Sequence, residues 1–286
     1  MTILEYHRPS SPAEALALME RAEIKTVALV PCPRPPALSD LKAQAVVDLS
    51  GLDLAHVSVG ESEVRLGAGT PVQTLVESPE LKAVLHGVIP EAARLAGHFG
   101  LRQMSTLEGA LLTRKILPEL TLVLLALDAL VVTVKSDGSQ VEKSLAEYLV
   151  FQASGGELLL EVKWQVEPGE NARVGAAMER VARAPRDHAV MAAAAVLHME
   201  NKICRQARVT LSHAGEAAEL LVAIIARLED REPTPDLLQS VAESVQAAIQ
   251  PKADYRGSAE YRRELAGVLT RRALENAWKR ATDRFA

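Results

Sequence analysis

Short apolar bursts separated by Pro, Gly and Ser clusters set out the elements of this chain. Ser11-Pro12-Ala13-Glu14 combines an N-cap, a proline at the first helical position and a glutamate placed for a capping box. The helix it opens is followed by the β-branched and aliphatic run Thr26 to Val30, a strand. Pro31-Cys32-Pro33-Arg34-Pro35-Pro36 then excludes both helix and central strand, because proline lacks the amide donor. A second strand spans Ala45 to Asp48, and His56–Val59 with Val64–Leu66 reads as two strands about the turn Gly60-Glu61-Ser62. Thr70-Pro71-Val72-Gln73 is another capping-box signature, and the spacing predicts helices over Pro90–Phe99 and Leu120–Asp128. Strands follow at Leu130–Val134 and Glu157–Val166, with Gly138 turning the chain between them. Glu167-Pro168-Gly169-Glu170-Asn171 marks a linker near 167–175. Beyond it, Ala192–Leu197 and Ala207–Leu211 are strands joined at Asn201-Lys202, although the alanine run is ambiguous. Helices then cover Glu216–Leu228, Pro235–Gln250 and about Glu260–Asp283, the last with an apolar stripe of Leu265, Val268, Leu269, Ala273 and Trp278. The fold class is α+β, with domains expected at 1–52, 53–170 and 171–286.

Composition narrows the chemistry. Hydrophobic residues make up 48% of the 286, yet aromatics only 3%, so aliphatic side chains must fill the core. A net charge of -5 leaves no footprint for nucleic acid. No run of about 20 apolar residues suits a membrane span, and the polar opening lacks the apolar core of a secretion signal, so a cytoplasmic location is expected. Cys32 and Cys204 stand apart, which excludes a cysteine-held cluster in this chain. The seven histidines show no HxxxH spacing, so no metal is expected. There is no P-loop, GxGxxG or GxSxG, and Gly67-Ala68-Gly69 alone is weak evidence for a phosphate site. Arg262-Arg263 and Arg271-Arg272 read as a solvated helix face.

Three stretches carry a family resemblance. Glu5-Tyr6-His7-Arg8-Pro9-Ser10-Ser11 is similar to an "F-x-Y-x-x-P-x-S" entry, and Leu66-Gly67-Ala68-Gly69-Thr70 to an "IGAxxT" element. Tyr255-Arg256-Gly257-Ser258-Ala259-Glu260-Tyr261-Arg262, continuing to Arg271-Arg272-Ala273, closely resembles "D-x-R-A-S-A-E-Y-R-x-x-L-A-x-V-L-x-R-R-A". Along nearly its whole length the chain resembles the FAD-binding (medium) subunit of molybdenum hydroxylases, of the carbon monoxide and xanthine dehydrogenase type. The resemblance implies a two-lobed PCMH-type FAD-binding fold followed by a CO dehydrogenase flavoprotein-like C-terminal α+β domain. It also implies partner subunits carrying iron–sulfur clusters and molybdopterin, with the flavin passing electrons from the clusters to an acceptor. The metal centres would then lie outside this chain.

Both glycine-rich loops that hold the FAD diphosphate in that family are altered. The first, "L-A-G-G-(T/H)-S-L", corresponds to Leu29-Val30 followed by Pro31, Cys32, Pro33 and Arg34. Prolines there remove the amides that would donate to an anion. The second, "T-(I/L)-G-G-N", corresponds to Thr106-Leu107-Glu108-Gly109-Ala110. Arg102, Thr106 and Gly109 keep the pattern, and Glu119 stands about where the family has an aspartate. Glu108, however, sets a carboxylate beside the diphosphate position. Losing three charge-assisted donors at roughly 1.5–3 kcal/mol each weakens binding by about 5–9 kcal/mol, on the order of 10³ to 10⁶ in affinity. The expectation is therefore a family scaffold that binds FAD weakly or not at all and acts by docking its partners. The alternatives are a working flavoprotein whose cofactor is held by Arg102, Thr106 and Gly109, or an emptied cleft lined by Leu111, Leu112 and Leu117 for an apolar ligand.

Overall fold

The computed structural model describes residues 3–30, 43–112, 119–151, 156–166, 172–184, 187–212 and 218–282. Packing divides the chain into two units, one of residues 1–77, 96–114 and 128–165, the other of residues 78–95, 115–127 and 166–286.

The first unit holds two sheets. Strands β1 (Glu5–His7), β2 (Thr26–Leu29) and β3 (Ala45–Asp48) form a parallel sheet in the order β1-β3-β2. Helix Pro12–Met19 supplies the crossover parallel strands require. Its N-cap is made as the sequence predicts, with Ser11 Oγ accepting from Glu14 N at 3.3 Å. Glu14 instead reaches the amide of Ser10, at 2.9 Å, rather than that of the cap itself. An antiparallel sheet runs β4 (Val57–Val59), β5 (Glu63–Gly67), β8 (Glu157–Gln165), β6 (Leu130–Lys135), β7 (Gln140–Ser144). Leu16, Val47, Leu49, Val134 and Leu158 pack together, joining the helix and both sheets in one core.

In the second unit, β9 (Ala172–Val181), β10 (Met191–Glu200) and β11 (Ile203–Leu211) form an antiparallel sheet in the order β11-β10-β9. The alanine run resolves as the central strand, with Met191 to Leu197 all buried. Helix Ala259–Thr282 packs on this sheet, and helix Glu119–Ala126 also contacts β10 and β11, with Thr210 Oγ1 donating to Leu122 O at 2.8 Å. Small side chains let backbones approach: a Cβ on Gly175 would lie 1.9 Å from Ala277 O.

Several expectations change. The single helix expected over Pro90–Phe99 is two, Val88–Arg94 and Phe99–Met104, parted at Gly97 with φ +140°. Of the expected linker, 172–175 begin β9 and 167–171 lie outside the described residues. Arg262 is not on a solvated face. It is fully buried and donates to Asp254 Oδ1 at 2.5 Å and to Lys252 O. Val268 of the expected apolar stripe is exposed.

Candidate functional site

The IGAxxT-like segment and the second of the two cofactor-loop positions meet in the first unit. Residues 68–72 and 105–108 are zipped together: Val72 N donates to Ser105 O (2.8 Å), Leu107 N to Thr70 O (2.9 Å) and Glu108 N to Ala68 O (3.0 Å). Gly67 is required by the close pass of the chain at Leu54 and His56, since a Cβ there would stand 2.1 Å from Leu54 O. Thr70 does not cap a helix as its sequence context predicts. Its hydroxyl donates to His56 O at 2.9 Å and accepts from His56 N at 3.0 Å.

Thr106 caps the short helix Leu107–Leu111, its Oγ1 accepting from Gly109 N at 3.2 Å. With Ala110 N bonded to Thr106 O, the amides of residues 107 to 110 all have acceptors inside the protein. The amides of 67 to 70 are committed too, to His56 O, Leu160 O, Leu54 O and Gly67 O respectively. A diphosphate cradle depends on amides aimed at the anion. Here these eight hold the two segments to each other and to their surroundings.

Arg102, one helix upstream, sends Nε to Gln73 Oε1 at 2.8 Å and Nη1 to Gly97 O. Gln73 in turn donates to Glu77 at 2.5 Å. Arg102, Thr106 and Gly109 are thus brought close along the chain in one unit. Glu119 belongs to the other unit, where it is buried in an ion pair with Arg180 Nε at 2.9 Å. Burial raises its pKa while the guanidinium opposes the rise. Pro31, Cys32, Pro33 and Arg34 lie outside the described residues, as does Leu117.

Glu108 corrects the electrostatic expectation. The side chain is 8% exposed, and burial alone pushes its pKa up to about 8. Near neutral pH it is a neutral carboxylic acid, so repulsion between a carboxylate and a diphosphate is not what it brings to the loop. Together with buried Leu107, Ala110 and Leu111 it makes this loop an apolar packing element. Within the second loop the amides of 107–110 are engaged inside the protein, and a buried acid stands where the family pattern has a glycine.

Sequence reasoning missed the part played by His56, Leu54 and Ala68, whose backbone groups anchor the two segments. Gly67-Ala68-Gly69 reads in the sequence only as weak evidence for a phosphate site, because the partners of its amides depend on strand pairing. Among the described residues no group of three or more His, Cys, Asp or Glu is placed to hold a metal, and no helix is long and apolar enough to cross a membrane.

Comparison with known proteins gives matches over both regions. Residues 2–163 match the family described as FAD binding domain in molybdopterin dehydrogenase, and residues 176–277 match the CO dehydrogenase flavoprotein C-terminal domain. The carbon monoxide dehydrogenase medium chain of Afipia carboxidovorans is 30% identical over 294 residues, covering 97% of each chain. Among solved structures, reconstituted CO dehydrogenase from Oligotropha carboxidovorans superposes with a TM-score of 0.80 at 27% identity, covering 97% of this chain and 98% of that one. Quinoline 2-oxidoreductase from Pseudomonas putida 86 reaches a TM-score of 0.82 at 21% identity, with 98% of each chain covered, a likeness of fold alone.

Proposed function

Because this chain belongs to the family of FAD-binding medium subunits of molybdenum hydroxylases, we propose that it serves such a complex mainly as a scaffold. It docks the iron–sulfur and molybdopterin subunits and holds FAD weakly or not at all. Its lobes at 1–52 and 53–170 and its C-terminal domain at 171–286 keep the family arrangement for that purpose. The observation that carries this reading is the state of the second loop, where a buried, protonated Glu108 replaces a glycine and the amides of 107–110 are spent internally. The prolines at 31, 33, 35 and 36 support it from sequence.

One observation favours the other reading, a subunit that still binds FAD. A neutral Glu108 can donate a hydrogen bond to an anion where a carboxylate would repel it. The two readings part on a direct measurement. The chain is co-expressed with iron–sulfur and molybdopterin subunits, and the purified complex is assayed for flavin released by acid. The scaffold reading expects an assembled complex with FAD well below one per chain. Stoichiometric FAD in the complex overturns it.

A further inference from the structure

The second unit contains an open cavity of about 620 Å³. Its wall brings together Lys82 from the end of helix Pro79–Ala83, His86, Arg94 from the end of helix Val88–Arg94, and Arg180 from β9. Three permanent cations and an imidazole therefore face the same space. Two carboxylates share the wall, Glu91 and Glu179. Both are engaged from helix Ala259–Thr282: Arg280 lies 3.5 Å from Glu91, and Asn276 Nδ2 donates to Glu179 at 2.7 Å. Arg180 is engaged as well: its Nε pairs with Glu119 at 2.9 Å and its Nη2 donates to Asp187 O. The balance of Lys and Arg over Asp and Glu around the cavity is positive.

The backbone at the wall is unusual as well. Leu85, His86 and Gly87 are consecutively left-handed, at φ +51°, +55° and +71°. Two of the three are not glycine, and such conformations persist only where the surroundings enforce them. The turn places His86 and Gly87 on the cavity wall. Pro90, Leu95 and Met178 add an apolar side.

We infer that this cavity binds an organic phosphate monoester, its phosphate held by Lys82, His86, Arg94 and Arg180 and its body lying against Pro90, Leu95 and Met178. Two charges on the ligand suit a wall with more than one cation to offer, and guanidinium groups match phosphate oxygens in pairs. The volume falls in the range of small-molecule sites and exceeds what inorganic phosphate fills. All four basic residues already take part in polar interactions, so the ligand exchanges partners rather than meeting bare charges.

Phenyl phosphate is a suitable probe, combining the dianion with an apolar body. The full chain is titrated calorimetrically with phenyl phosphate, inorganic phosphate and benzoate at low salt. Saturable one-to-one binding is expected for phenyl phosphate, at least tenfold tighter than for either control. Lys82→Gln and Arg94→Gln should each weaken it tenfold or more; both side chains are exposed, so the variants keep the fold, which thermal unfolding verifies. Absence of saturable binding at millimolar phenyl phosphate overturns the inference. So does a folded Lys82→Gln/Arg94→Gln double variant that binds as the native chain does. Neither outcome depends on whether the chain holds flavin.

Discussion

Replacing Glu108 by glutamine should change how the stability of the first unit depends on pH. In the folded chain burial raises the carboxyl pKa from 4.5 to about 8. A group whose pKa is raised by folding contributes stability that is fully present below the unfolded pKa and is lost as pH rises through the folded one. Full ionisation across that gap corresponds to about 5 kcal/mol, at roughly 1.4 kcal/mol per unit. Between pH 5 and pH 8 the loss from this one side chain is about 3.5 kcal/mol. Glutamine has nearly the same shape and does not titrate, so subtracting the variant's stability removes the contribution of every other ionisable group. Urea unfolding at pH 5, 6, 7 and 8 measures the difference. Buried Trp164 in β8 reports on this unit, and Trp278→Phe removes the second indole, which sits in the other. Glu108→Gln should gain on the parent steadily as pH rises. If the two stability curves run parallel from pH 5 to pH 8, the buried neutral acid is refuted, and with it the account of the loop as a packing element.

Further outcomes follow from individual contacts. Thr106→Ala removes the acceptor of the Gly109 amide and should cost about 1 kcal/mol, with Thr106→Ser restoring most of it in the same denaturation assay. Gly175→Ala sets a methyl carbon 1.9 Å from the Ala277 carbonyl and should destabilise the second unit by about 3 kcal/mol or more, seen as a large fall in its melting temperature. Asp254→Asn removes the counter-charge of fully buried Arg262 and should cost on the order of 3 kcal/mol at neutral pH. The Arg262 guanidinium holds the Asp254 carboxyl well below the usual carboxylate range. Its stabilisation is therefore present above the unfolded pKa and lost as pH falls below about 4. Acid titration should narrow the gap between parent and variant, and a gap constant down to pH 2 would contradict the pairing.

Much of the architecture was legible in the sequence, because its cues are local. Ser11-Pro12 announced its helix, and the β-branched runs at 26–30 and 130–134 announced strands. The motif from Tyr255 to Ala273 pointed to the family without any knowledge of contacts. The charge state of Glu108 was not legible, since ionisation depends on how much water reaches a carboxyl, and only packing decides that. Arg262 was misread as solvated for the same reason: the helix period gives a face, but the Asp254 turn that covers it comes from outside the helix. Thr70 looked like a cap until strand pairing brought His56 within reach of its hydroxyl. Sequence by itself determined the principal strands and helices and where the family's loop pattern is altered. Tertiary structure alone decided which polar groups lost their water and which partners they found instead, because desolvation and hydrogen bonding are set by neighbours distant along the chain.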